Sequence, residues 1–297
     1  MAVKISEYHG KVVDYSLPLI QPADGSENCP FMNSICPKIK KGLKPICSVQ
    51  KPDGENWIVC SNRLCSTLSN IPLSNYQIDV LSEVAKCVFG DSVDLNDIVI
   101  KREITMPVVA ASKYHADYVM MNIGNSGRAN GQRKFVLEMQ GGGETSSTGA
   151  ITRLVENWEK NPQRSNLELS QMVAANPIVT NAWRRQQEQF IVKGNIAHQT
   201  GGGLVFCVGG PLYDYLYERV KASNLRDLKD HNWTLALIAF HEEYQVDGTI
   251  KYVPDNSRQL FTNYVSFLQV LINQGGPHPE LFSGKFEKLL TGMEILI

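Results

Sequence analysis

Asp117, Glu138 and Gln140 lie in two runs that read as β-strands, His-Ala-Asp-Tyr-Val-Met-Met and Phe-Val-Leu-Glu-Met-Gln. Side chains two apart on a strand share a face, so Glu138 and Gln140 project together toward whatever Asp117 faces on a neighbouring strand. Two carboxylates meeting in this way suit a hard divalent cation such as Mg²⁺, which takes oxygen ligands and keeps part of its water shell. An ion held there lowers the pKa of a bound water and stabilises charge on a phosphodiester, as metal-assisted hydrolysis requires. Gln140 adds a neutral amide, which can orient a water but carries no charge. An Asp and a Glu on adjacent strands also occur together by accident, so this pattern alone leaves the function open.

A second chemistry lies upstream, where Cys29, Cys36, Cys47, Cys60 and Cys65 account for five of the seven cysteines. The N-terminal residues are polar and interrupted by charge, unlike a secretory signal, so a cytoplasmic location is expected. In that compartment crowded cysteines act as thiolate ligands more often than as disulfides, and a metal-organised segment follows. Cys87 and Cys207 sit in apolar surroundings and read as buried thiols. Lys38, Lys40, Lys41, Lys44 and Lys51 form a basic strip within the cluster, either a solvated loop or a surface that meets phosphate.

These residues need elements to position them. The chain has 297 residues, 43% hydrophobic and 20% charged, with a net charge of -1, enough apolar material for a sizeable core and no overall bias toward an acidic partner. No stretch approaches the roughly 20 apolar residues of a membrane span. The Cys-, Lys- and Pro-rich composition ends near residue 70, dividing the chain into a metal-binding segment, 1–70, and a larger domain, 71–297. Apolar spacing predicts a helix from Ser74, its N-cap, to about Val88. Three strands follow, Ile98 to Met106, Asp117 to Ile123 and Lys134 to Gln140, with Gly124, Gly127 and Gly131 between the last two marking a hairpin or meander. Helices are expected after Thr148, over Val179 to Ala197, over Leu212 to Ala222 and over Arg258 to Ile272. Leu204 to Val208 reads as a buried strand, and Thr234 to Phe240 is a further apolar run. The order implies an α/β fold, a mixed sheet covered by helices. Gly141 to Gly143 and Gly201 to Gly203 lack the Lys-Ser or Lys-Thr of a phosphate loop and read as turns. His241-Glu242-Glu243 lacks the second histidine of a zinc protease motif and reads as a surface loop.

The run Cys29-Pro-Phe-Met-Asn-Ser-Ile-Cys36-Pro-Lys, then Ile46-Cys47-Ser-Val and Ile58-Val-Cys60-Ser-Asn-Arg63, resembles the N-terminal metal-binding segment of the NotI-like type II restriction endonucleases. The downstream Asp117 and Glu138-x-Gln140 are similar to that family's variant of the PD-(D/E)xK nuclease core. Together the two matches span roughly residues 29 to 141. The resemblance implies that Cys29, Cys36, Cys47 and Cys60 ligate a structural ion, iron or zinc, with Cys65 read as a free thiol in preference to its replacing Cys60 as ligand. It implies that Asp117 and Glu138 hold Mg²⁺, that Gln140 takes the lysine position, and that a further acid lies upstream, with Glu103 as candidate and Glu83 as alternative. The implied protein is a Mg²⁺-dependent endonuclease acting as a homodimer on a palindromic, GC-rich double-stranded DNA site and leaving 5′ overhangs. A cognate DNA methyltransferase would be its genetic companion. Lys38, Lys40, Lys41, Arg63, Arg184 and Arg185 are the candidate DNA contacts, and His115, close to Asp117, is a further one. Two rivals stand beside this expectation: a metal-stabilised DNA-binding regulator without catalysis, and a structure-specific repair nuclease built on the same core.

Overall fold

The computed structural model describes residues 2–107, 113–125 and 133–273. Gly127 and Gly131 of the expected hairpin loop lie outside them. The chain begins with strands β1 (Lys4–Tyr8) and β2 (Lys11–Val12), a short helix α1 (Pro37–Lys40), and strands β3 (Ile46–Gln50) and β4 (Asn56–Ile58). Then come α2 (Asn75–Phe89), β5 (Ile98–Pro107), β6 (Lys113–Asn122), β7 (Lys134–Gln140), α3 (Thr148–Lys160) and α4 (Asn166–Leu169). The rest is α5 (Val179–Gln199), β8 (Gly203–Gly209), α6 (Gly210–Val220), β9 (Leu235–Tyr244), β10 (Ile250–Thr262) and α7 (Tyr264–Ile272).

The fold is mixed α/β around a six-stranded sheet in the order β10-β9-β8-β7-β6-β5. Strands β5, β6 and β7 form an antiparallel meander, β7-β8-β9 run parallel, and β10 returns antiparallel to β9. The parallel pairs need crossovers, which α3 to α5 and α6 supply. Every residue of β8 is buried, as a strand covered on both faces must be.

One face of the sheet packs on α2, whose Val80, Val84, Ala85 and Val88 meet Tyr118, Leu137, Met139 and Cys207. Ser74 caps α2 as expected, accepting from the Gln77 backbone N–H while the Gln77 side chain accepts from the Ser74 N–H. The other face packs on α5, α6 and α7 through Trp183, Phe190, Leu212, Leu216 and Phe267 against Val136, Leu204, Phe206 and Val208.

The four N-terminal strands form a second, antiparallel sheet, β2-β1-β3-β4, which the hydrophobic pattern did not announce. It shares a core with α3, where Val3, Ile5, Tyr8, Val49 and Trp57 meet Ile151, Val155 and Trp158. An isolated bridge joins Ile58 at the end of β4 to Gly142 just past β7. A Cβ at residue 142 would lie 2.5 Å from the Ile58 carbonyl oxygen, so only glycine lets the two sheets approach this closely.

Three expectations change. Arg258 to Thr262 belongs to β10, which pairs with β9 as far as Thr262 opposite Leu235, so the last helix starts only at Tyr264. Cross-strand pairing claims those five residues, while Tyr264–Ile272 forms the helix expected. His241, Glu242 and Glu243 extend β9 instead of forming a loop. Asp117 lies inside β6, which begins at Lys113, so the residue is held on both sides by strand. Among the described residues no helix is long and apolar enough to cross a membrane.

Candidate functional site

The β6–β7 ladder runs from Met121 opposite Lys134 to Tyr118 opposite Leu137 and stops. The next pair in register would be Asp117 and Glu138, and their side chains take over where backbone bonds end. The Asp117 N–H donates to Glu138 Oε1 (3.3 Å), and the Met139 N–H donates to Asp117 Oδ2 (2.9 Å). The two strands therefore part at this point, with a carboxylate from each strand in the opening.

Glu138 is 5% exposed and Asp117 half-buried. Burial raises the Asp117 carboxyl, with Lys193 pulling it down and the nearby Glu103 pushing it up. Burial, and then the facing Asp117, push the Glu138 carboxyl up to about 8, against the pull of the Lys193 ammonium. A divalent ion placed between the two carboxylates would offset their mutual repulsion.

Gln140 projects on the same side as Glu138, toward α5. Its Oε1 accepts from Gln186 Nε2 (2.8 Å) and its amide donates to the Gly142 carbonyl. Glu103 sits on β5 between the pairs Arg102–Tyr118 and Ile104–Ala116, the position that faces Asp117. Its backbone is left-handed, φ 48°, and its Oε2 accepts from the Ser69 N–H and hydroxyl (3.2 and 2.6 Å). A non-glycine residue is strained in that region, so the loop around Ser69 and the sheet hold Glu103 there. Glu83 pairs with Lys86 on α2 instead. His115 is exposed, with its Nδ1 3.3 Å from the Thr105 hydroxyl.

Gln140 and the glycines after β7 open onto a groove of about 530 Å³. One wall carries Lys38, Lys41 and Lys44 from the cysteine segment, and the other Arg185 and Gln186 from α5. Among the described residues Glu144 is the one acidic residue in that lining, so these side chains give the groove a net positive charge. Arg185 pairs with Glu144 (2.6 Å) and Lys44 with Glu159, while the Lys38 ammonium donates to the Ile46 carbonyl. Lys41 is exposed on the wall. Lys40 and Arg184 are exposed as well, outside the groove's lining.

Arg63, expected at the DNA, is 0% exposed and is not available to it. Its Nη2 lies 2.7 Å from Glu7 Oε1 and also donates to the Ile250 carbonyl (2.6 Å), and the guanidinium stacks 3.9 Å over the Phe31 ring. It is an internal strut between β1, the cysteine loops and β10.

Cys29, Cys36, Cys47 and Cys60 are all buried. Cys29, Cys36 and Cys47 share one small cluster with Phe31 and Met32, and Cys60 lies near enough to Cys29 and Cys47 to bear on both. Burial pushes the Cys29 thiol up to about 12. Among the described residues no three His, Cys, Asp or Glu side chains are already arranged as a metal-ligand set. Four soft sulfurs within one loop system are the donor chemistry of a thiophilic ion. Cys65 points elsewhere, into the main core, where its Sγ lies 3.2 Å from the Tyr118 hydroxyl.

Two residues at the site were not foreseen, Lys193 and Gln186 on α5. Lys193 is 1% exposed and donates to Glu138 Oε2 (2.6 Å). The signal existed: Lys193 falls three residues after Phe190, on the apolar stripe of a helix, where a lysine is out of place.

No protein-family model matches the chain, and no curated protein matches it.

Proposed function

We propose that this chain is a Mg²⁺-dependent type II restriction endonuclease with a PD-(D/E)xK core, hydrolysing phosphodiester bonds at a specific palindromic site in double-stranded DNA. The observation that carries the reading is the parting of β6 and β7, where Asp117 and Glu138 face each other beside a cationic groove. Two facing carboxylates with a single ammonium between them, that of Lys193, leave negative charge that a divalent ion would balance.

Asp117 and Glu138 are the ligands for the ion, with Glu103, restrained by Ser69, as the further acid. When bound, Mg²⁺ would supply Lewis-acid charge at the phosphate and make a water more acidic. Gln140 is held at both ends of its amide, by Gln186 and by Gly142, so it presents a fixed edge to the groove. Lys41 and Arg185 draw the phosphate backbone into place. Water adds to phosphorus and gives up a proton to solvent as one P–O ester bond breaks and the departing sugar oxygen takes up a proton, with Asp117 and Glu138 fixing the geometry. Cys29, Cys36, Cys47 and Cys60 hold a structural iron or zinc that organises the lysine-bearing wall. A homodimer matches the two-fold symmetry of the DNA, one subunit to each strand, and a DNA methyltransferase protects the host's own sites.

Incubation of the protein with varied duplex DNA and Mg²⁺ should yield discrete, site-specific fragments, and Asp117→Asn should abolish them with DNA binding retained. Binding without cutting by the wild type would favour a regulator. Cutting that tracks branched DNA structure instead of sequence would favour a repair nuclease.

A further inference from the structure

Lys193 is the one lysine in the buried interior among the described residues. An ammonium is costly to bury, and it persists only where a partner compensates it. Among the described residues its Nζ meets a single acceptor, Glu138 Oε2. Helix α5 brings it there together with Gln186. The two are seven residues apart, about two turns, so they lie on one side of the helix. Gln186 donates to Gln140 and Lys193 to Glu138, so α5 pairs one side chain with each of the two motif positions of β7.

Stability alone explains this poorly, because a buried ion pair replaced by apolar groups is often neutral or stabilising. Fixing the orientation of a ligand is the better explanation. Glu138 Oε1 accepts from the Asp117 N–H and Oε2 from Lys193, so both oxygens are held in one rotamer facing Asp117. Partners of this kind around a metal-binding carboxylate commonly govern its affinity for the ion.

We propose that Lys193 is a positioning residue of the candidate site, holding the Glu138 carboxylate in the orientation that receives the divalent ion and carrying the positive charge that the neutral Gln140 does not supply. The proposal rests on the reading of Asp117 and Glu138 as metal ligands.

The test compares Lys193→Met and Lys193→Gln with the wild-type protein. Calorimetric titration with Mn²⁺ alone should show affinity falling by on the order of tenfold, within the range for loss of a ligand's hydrogen-bond partner. Thermal melting should show both variants folded at the temperature of the titration; if Lys193→Met is not, Lys193→Gln decides. Cleavage of plasmid DNA should lose kcat by on the order of 100-fold with KM nearly unchanged, as when a preorganised charge is removed from the site of reaction. A folded variant that binds Mn²⁺ as the wild type does overturns the proposal, as does a wild type that binds none. If the wild type binds Mn²⁺ but cuts no DNA, the nuclease reading fails while the Mn²⁺ comparison still decides the role of Lys193.

Discussion

Glu138 concentrates the chemistry of the site because its surroundings pull its charge in opposite directions. Its carboxyl is pushed up to about 8 in the folded chain against an ordinary 4.5, by burial first and Asp117 second. Between these two values the folded protein holds a proton that the unfolded chain has lost. The stability contributed by this group is whole below the unfolded value and declines as pH rises toward about 8. The melting temperature should therefore carry a downward slope over that window, and Glu138→Gln should flatten it. A divalent ion must displace the same proton, so Mn²⁺ affinity should strengthen as pH is raised to about 8 and level off above. Equal affinity on both sides of the window would remove Glu138 from the ligand set. Of these residues, Asp117, Glu138 and Gln140 were legible because strand periodicity places i and i+2 on one face. Lys193 was not, because its meeting with Glu138 spans 55 residues and depends on how α5 crosses the sheet.

At the scale of elements, the hydrophobic pattern located α2, β5, β6, β7, α5 and β8, each with a long periodic or wholly apolar run. It failed at Arg258 to Thr262, where β9 supplies the partner that makes those residues a strand. It also failed to announce the sheet β2-β1-β3-β4, whose strands are two to five residues long and too short for periodicity to register. The cysteine segment is built around these short pieces: Cys36 stands just before α1, Cys47 lies on β3, and Cys60 follows β4. Elements this small have little core of their own, and a bound ion would supply the missing cohesion. Elemental analysis of protein purified under reducing, metal-replete conditions should find about one iron or zinc per chain, the stoichiometry of a four-thiolate site. Its removal by chelator should loosen residues 29–60 before the main sheet, measured by hydrogen exchange. A metal-free preparation with full protection in that segment would refute the assignment.

In the whole molecule, a single buried side chain ties the cysteine loops to both sheets. Arg63 is paired with Glu7 of β1, bonded to the Ile250 carbonyl of β10, and stacked on Phe31 and Tyr252. Arg63→Ala would leave Glu7 buried without its partner, so stability should fall by about 3–5 kcal/mol. Chemical denaturation at a constant m-value measures this, and a loss below about 1 kcal/mol would mean that the junction is held elsewhere. The α/β class, the order of the main elements, and the choice of carboxylates and cysteines as candidates for ion binding could be read from the chain, because those depend on residue type and on spacing within one element. Packing places Arg63 in the interior and opens Gln140 onto a groove shared with the lysine strip. The same holds for the buried ammonium beside Glu138. These outcomes depend on contacts between residues far apart in the chain, which packing selects and local spacing does not encode.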